Sequence, residues 1–220
     1  HHGLSVGIYV HDNGEGVFEE NNIEANKKSG VECESNGKPI MRKNQIHDGE
    51  HFGMHFHKNG AGRLEGNFIV RNRLAGVNVE TNANPHLINN KIHDGLESGI
   101  YVHDNGEGIF EQNEIMGNAL AGVNVQTGGN PTMRKNIIRD GKESGMFFNH
   151  NGLGLIEENE IFNNELTGVE IKAGSRPILR NNHIHDGQES GVYVHDNGEG
   201  LLEGNDIFQN KLAGVEIKDG

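Results

Sequence analysis

Aromatic and histidine side chains recur in this sequence two residues apart, a pattern that could bind a partner or transfer protons. The pairs are Tyr9 and His11, His55 and His57, Tyr101 and His103, and Tyr193 and His195, with Phe147 at the equivalent place in the remaining copy. His11, His103 and His195 each begin the hexapeptide His-Asp-Asn-Gly-Glu-Gly. An imidazole beside a carboxylate suits acid–base catalysis or metal binding, whereas rows of exposed rings suit the binding of peptides or sugars.

A repeat of 23 residues determines where these pairs fall. Glycine opens the repeat ten times, at Gly7, Gly30, Gly53, Gly76, Gly99, Gly122, Gly145, Gly168, Gly191 and Gly214. A fixed period of this length indicates a solenoid, in which each repeat packs against its neighbours and has no core alone. Apolar residues at positions 2 and 4 of the repeat, together with turn sequences such as Asp12-Asn13-Gly14, indicate short strands.

These features predict an all-β fold, a right-handed parallel β-helix with about nine to ten rungs of 23 residues. The leucine-rich repeat is the competing solenoid, but its consensus is absent. Because the period is unbroken, residues 1–220 are predicted to form a single domain. Both ends fall within a rung, with His1 and His2 fitting the end of one, so we expect a fragment of a longer chain.

An asparagine occupies position 15 of every complete rung and is predicted to be structural. These residues are Asn21, Asn44, Asn67, Asn90, Asn113, Asn136, Asn159, Asn182 and Asn205. Stacked turn asparagines can hydrogen-bond to one another and to the backbone as an internal ladder. A ligand site would not need nine identical copies.

The repeats alternate in two kinds, so that residues of odd and even rungs differ at the outward positions. Position 13 is Glu in odd rungs and Arg in even rungs except at Ile88, which predicts interleaved charges along one column. Positions 3 and 5 point outward and are predicted to form a partner-binding face. Its residues are Tyr9, His11, His55, His57, Tyr101, His103, Phe147, Tyr193 and His195. The alternative is that these rings only pack across neighbouring strands.

Catalysis, metal binding and cofactor binding are not expected. Equivalent residues two rungs apart are separated by ~9.6 Å, too far to share one ion. Calcium is disfavoured because the ligand pattern of a calcium loop is missing. Sugar-cleaving β-helices need a cleft, usually framed by long loops at the strand ends. All rungs here have the same length, so no rung has such a loop. Cys33 lies at an inward position and is not expected to be a nucleophile.

Composition limits the class of partner. The formal net charge of −13 argues against nucleic acid, because phosphate binding needs clustered lysine and arginine. No apolar run approaches the ~20 residues that span a bilayer, so no membrane partner is expected. The single cysteine excludes an internal disulfide and favours a reducing compartment.

The sequence resembles one known family along essentially its whole length. GIYVHDNGEG, LAGVNVQTGGNP, MRKN, NNKIHDG and LAGVEIK resemble the β-helix region, a carbohydrate-binding-and-sugar-hydrolase (CASH) type repeat, of the F-box-only protein eleven family. The resemblance implies a substrate receptor of an SCF-type ubiquitin ligase, with a degron-containing protein as client and a nuclear or cytoplasmic, intracellular location. The segment contains neither the F-box that would contact the ligase core nor a zinc finger.

The sequence therefore predicts a non-enzymatic protein-recognition scaffold. One alternative is a carbohydrate-binding or carbohydrate-processing β-helix of the pectate-lyase-like kind. Another is a purely structural solenoid that associates end to end through its open ends.

Overall fold

The computed structural model describes residues 3–219 and shows a right-handed parallel β-helix, as predicted. His1 and His2, for which the repeat register makes a prediction, lie outside the described residues. The strands form three parallel sheets, which we call sheets A, B and C in the order in which the chain first enters them. Within the described residues, no helix is long and apolar enough to cross a membrane.

Sheet A follows the glycine that opens each rung and has ten strands in the described part of the chain. They are Ile8–Val10, Val31–Cys33, Met54–Phe56, Val77–Val79, Ile100–Val102, Val123–Val125, Met146–Phe148, Val169–Ile171, Val192–Val194 and Val215–Ile217. Sheet B contains Glu15–Glu19, Lys38–Arg42, Ala61–Glu65, Asn84–Ile88, Ile109–Glu111, Thr132–Arg134, Leu155–Glu157, Ile178–Arg180 and Leu201–Glu203. Sheet C contains Asn22–Glu24, Gln45–His47, Phe68–Val70, Lys91–His93, Glu114–Met116, Ile137–Arg139, Glu160–Phe162, His183–His185 and Asp206–Phe208.

Each strand pairs with the equivalent strand one rung along, so residue i lies beside residue i+23. In sheet A, for example, Ile100 pairs with Val123 and Val102 pairs with Val125. Their side chains point inward and are fully buried, as are the largest rings of the core, Phe56, Phe110 and Phe148. The core is therefore one continuous column that no single rung could form.

Cys33 belongs to this core. Its side chain is fully buried, and its thiol donates to the carbonyl oxygen of Gly37 at 3.1 Å. Burial raises the pKa of the Cys33 thiol to about 11. The thiol is thus protonated at neutral pH, which does not suit a nucleophile.

The nine asparagines at position 15 form one column. From Asn44 onward, Oδ1 of each asparagine accepts from the backbone N–H and Nδ2 of the asparagine one rung earlier, at 2.9–3.0 Å. The amide of Asn113 also donates to the carbonyl oxygen of Leu87. The ladder pairs the polar groups of the bend between sheets B and C.

A second asparagine column runs through odd rungs only and was not predicted. Asn72 accepts from the backbone N–H of Gly49 at 3.1 Å and donates to the carbonyl oxygen of Ile46 at 3.1 Å. Asn118 repeats both bonds with Gly95 and Ile92. The asparagine of an odd rung thus pairs polar backbone groups of the preceding even rung, in the bend that follows sheet C.

The charged column of sheet B has the predicted register. Glu111, Arg134 and Glu157 lie side by side on successive strands. Arg134 Nε donates to Glu157 at 2.9 Å, and Arg180 Nε donates to Glu203 at 2.6 Å. Opposite charges therefore alternate along this surface, and a slip of one rung would place like charges together.

Candidate functional site

The outward positions 3 and 5 of sheet A form one continuous surface, which we call the strip. Position 3 is the middle residue of each strand and position 5 is the second residue after it, at the start of a turn. In the turn after His103, Asp104 and Asn105 both have left-handed backbone angles, with φ of 46° and 60°. Asparagine and aspartate tolerate this region best, so the His-Asp-Asn-Gly sequence is first a turn that fixes the histidine.

The strip is less exposed than its sequence suggested. Of its predicted partner-binding residues only Tyr9 and His11, in the first rung, are exposed. The other seven are half-buried, and the imidazole side chains of His55, His57, His103 and His195 are only 12% to 15% exposed. Neighbouring strands ~4.8 Å apart cover the sides of each ring, so mainly ring edges face outward.

Four of the five odd rungs carry a stacked pair of rings on the strip. The ring centroids are 4.2–4.3 Å apart and the planes differ by 15–26°. The pairs are Tyr9 with His11, His55 with His57, Tyr101 with His103, and Tyr193 with His195. The strip therefore brings these predicted residues together in pairs, one pair in each of four odd rungs.

Carboxylates of the even rungs connect the first three of these pairs. The Tyr9 hydroxyl donates to Glu34, and Glu34 Oε2 lies 3.6 Å from His57 Nδ1. On the next link, Glu80 Oε1 lies 2.8 Å from His55 Nε2, while its other oxygen lies 3.6 Å from His103 Nε2.

Within this network His57 Nε2 also lies 3.3 Å from Glu32 Oε1. At the far end, His103 Nδ1 lies 2.9 Å from Asp104. We call this connected set the acidic cluster. It consists of Glu32, Glu34, His55, His57, Glu80, His103 and Asp104.

The contacts of the acidic cluster shift the acidity of its members. Lys58 donates to Glu34 at 2.5 Å, and this bond together with the Tyr9 hydroxyl lowers the pKa of Glu34 to about 2. The hydrogen bond from the Tyr9 hydroxyl to Glu34 raises the pKa of Tyr9 to about 12. Burial lowers the pKa of His55 even though Glu80 accepts from it. His55 is therefore largely neutral at neutral pH, and the charge of Glu80 is not cancelled by it.

The second half of the strip is chemically different. Phe147 has Asn149 at position 5 instead of histidine, and the Lys172 ammonium lies 5.1 Å from the centroid of its ring. Glu170 lies 3.1 Å from His195 Nε2 and accepts from the Ser144 hydroxyl. Lysines thus accompany the carboxylates here, whereas carboxylates dominate the acidic cluster.

Sequence reasoning did not include four residues of the acidic cluster, namely Glu32, Glu34, Glu80 and Asp104, among the site residues. It compared odd rungs with one another, treated Glu32, Glu34 and Glu80 of the even rungs as spacers, and interpreted Asp104 as a turn residue. The period itself carries the missing signal, because a residue at position 5 reaches position 3 of the preceding rung, 25 residues earlier, as His57 does with Glu32.

Two groups in the acidic cluster have the side chains of metal sites. Glu32, His55 and His57 form one group, and Glu80, His103 and Asp104 form the other. In each group the candidate ligand atoms lie within 4.8 Å of one another. Imidazole and carboxylate ligands in this number suit a divalent transition metal.

A shallow depression lies elsewhere, on the outer face of sheet C. It has a volume of about 380 Å³, and Phe68, Arg71, His47 and His93 contribute to its lining. The ring of Phe68 is 45% exposed there. This depression is open and sits apart from the strip, so it does not provide walls for the acidic cluster.

Comparison with known proteins supports the fold. The family described as "Right handed beta helix region" matches residues 1–130 and 75–220, which together span the chain. The chain belongs to this family.

Among solved structures, similarity extends to alginate epimerases. The A-module of mannuronan C-5 epimerase AlgE4 from Azotobacter vinelandii superposes with a TM-score of 0.59 at 12% identity, over 94% of this chain and 78% of that one. The periplasmic alginate epimerase AlgG gives a TM-score of 0.61 at 14% identity, over 97% and 77% of the two chains. At such identities the likeness concerns the fold alone.

Proposed function

We propose that the strip is a docking surface for an extended polypeptide segment with positively charged side chains, and that the chain acts by binding it without catalysis. The observation that carries this proposal is the acidic cluster. Glu32 and Glu80 face imidazoles and not lysine or arginine, with side chains 21% and 24% exposed. Together with the net charge of −13, they favour a cationic partner.

The shape of the strip supports binding over chemistry. Ring pairs of similar geometry recur on alternate rungs, and the surface that bears them is made of strands of equal length. An extended segment can contact several rungs of such a surface in succession. A catalytic site needs groups that converge on one reacting atom, whereas these pairs are spaced along the helix axis.

Peptide binding tests the proposal. We would measure fluorescence anisotropy of a labelled peptide of alternating lysine and serine, in the presence of EDTA, and compare it with a glutamate–serine peptide. The parent chain should bind only the lysine peptide, and salt should weaken binding. The double variant Glu32→Gln with Glu80→Gln should bind at least about tenfold more weakly, as expected for the loss of two charged contacts.

Matched charge changes elsewhere provide the control. Glu165 and Glu199 are exposed and pair with Lys142 and Arg176 away from the strip. The double variant Glu165→Gln with Glu199→Gln should bind the lysine peptide as the parent chain does. Equal weakening by both double variants, or equal binding of both peptides, would contradict docking on the strip.

Polysaccharide binding is the second candidate, favoured by the polar edges of the Tyr101–His103 and Tyr193–His195 pairs on an open face. The fold shared with alginate epimerases is compatible with it. Because the acidic cluster repels polyuronates, a neutral glycan is the expected ligand. If this candidate is right, a neutral glucan binds and the double variant Tyr101→Ala with Tyr193→Ala loses binding. If neither neutral nor acidic glycans bind, polysaccharide binding is contradicted.

Two narrower expectations stay predictions. Selection of degron-containing clients for an SCF-type ubiquitin ligase rests on the sequence resemblance to the F-box-only protein eleven family. End-to-end self-association of the solenoid is the other expectation. Light scattering over a range of protein concentrations tests the latter.

A further inference from the structure

We propose that Glu32, His55 and His57 bind a divalent transition metal ion of the zinc class. The third rung is the one odd rung in which histidine stands at position 3, where the other four carry Tyr or Phe. As a result two imidazoles, and not a phenol and an imidazole, stack at 4.3 Å. The register of sheet A places Glu32 directly beside His55.

The geometry of this group is close to that of a three-ligand zinc site. Tetrahedral zinc with bonds of about 2.0 Å holds its ligand atoms about 3.3 Å apart. Glu32 Oε1 already lies 3.3 Å from His57 Nε2. The candidate atoms of all three residues lie within 4.8 Å, so small side-chain rotations close the set.

The surroundings suit a cation. All three side chains are partly shielded from solvent, with exposures of 21% for Glu32, 14% for His55 and 12% for His57. Glu80, whose Oε1 lies 2.8 Å from His55 Nε2, can orient His55 or supply a fourth ligand. Of the charged groups that face the set, Glu34 and Glu80 are negative, and Lys58 is positive but pairs with Glu34.

No metal site was predicted from the sequence, because equivalent residues of the motif lie two rungs apart and are too distant to share one ion. The present group joins adjacent rungs and so escapes that argument. The group formed by Glu80, His103 and Asp104 contains only one imidazole, and Asp104 is 53% exposed. It is therefore the weaker of the two candidates for zinc.

Calorimetric titration of the whole chain with Zn²⁺ near pH 7 tests the proposal. His55→Tyr is the informative variant, because tyrosine occupies this position in three other odd rungs, at Tyr9, Tyr101 and Tyr193. It converts the group into an ordinary ring pair of the strip while preserving the stack. We expect one ion per chain for the parent, and a loss of at least about a hundredfold in affinity for His55→Tyr.

A control variant separates this site from general histidine binding. His86 lies on sheet B, 3.0 Å from Glu111, and forms a single imidazole–carboxylate pair. The variant His86→Gln should bind Zn²⁺ as the parent chain does, and Zn²⁺ should raise the melting temperature of both but not of His55→Tyr.

The proposal is overturned if the parent shows no stoichiometric binding, or if His55→Tyr binds as tightly as the parent. It is likewise overturned if Ca²⁺ binds as well as Zn²⁺, because imidazole ligands favour zinc. Peptide binding is measured in the presence of EDTA, without free metal ions. Failure of the metal site and failure of peptide docking can therefore be distinguished.

Discussion

A methyl group at Cα of Gly99 would lie 2.5 Å from Cγ2 of Ile115, the isoleucine at position 17 of the same rung. It would also lie 2.7 Å from the carbonyl oxygen of Gly122 in the next rung. The strand of sheet A can follow the preceding bend only because position 1 has no side chain. Isoleucine occupies position 17 of every complete rung, just as glycine occupies position 1, and this contact explains why the two residues share one period.

We predict that Gly99→Ala destabilises the chain by about 1–3 kcal/mol, because the neighbouring backbone cannot move away without disturbing the next rung. Gly214 occupies the same position in the last rung, where the nearest atom to an added methyl is 3.7 Å away. Gly214→Ala should therefore have little effect. Urea unfolding of the two variants compares them directly, and equal losses would contradict this account of the glycine column.

Removing one asparagine from the middle of the ladder should cost more than removing one from its end. Asn113→Ala leaves the buried backbone N–H of Asn90 without its acceptor and removes the bond to the Leu87 carbonyl oxygen, so we expect a loss of at least about 2 kcal/mol. Asn21→Ala, at the exposed end, removes only the bond from Asn21 Nδ2 to Asn44, where water can replace it. Thermal unfolding of Asn113→Ala and Asn21→Ala measures the difference, and similar melting temperatures would argue against a cooperative ladder.

The sequence predicted those parts of the structure in which every rung has the same environment. The glycine, isoleucine and asparagine columns follow from the period alone, because each rung covers the next. On the strip the period indicates which residues are neighbours, but which hydrogen bonds form there also depends on the rotamer that each side chain takes. The bond between His55 and Glu80 needs position 3 of one rung to reach position 5 of the next, a relation that no single rung displays.

The charged column of sheet B predicts a distinction between two substitutions at Arg134. Arg134→Ile reproduces the residue that the chain itself has at Ile88 and should cost little, because exposed ion pairs contribute at most about 1 kcal/mol. Arg134→Glu places three carboxylates side by side with Glu111 and Glu157 and should destabilise by about 1 kcal/mol more. Melting temperatures at low and high salt check this, because screening should reduce the difference between the variants.

Acid titration provides the last test, through Glu34. Lys58 and the Tyr9 hydroxyl lower the pKa of this carboxyl from 4.5 to about 2 in the folded state. A carboxyl with a lowered pKa stabilises the folded state fully above its unfolded pKa, and this contribution disappears as the pH falls from about 4.5 towards 2. In Glu34→Gln the stability should therefore fall less steeply over this range than in the parent.

The Glu34 carboxyl resonance, followed by NMR during the titration, reports the pKa itself. Tyr9→Phe removes one donor and should move that pKa part of the way back towards 4.5. A midpoint near 4.5 in the parent would show that the Tyr9 and Lys58 contacts do not persist in solution, and the connection between the first two ring pairs of the strip would be lost with them.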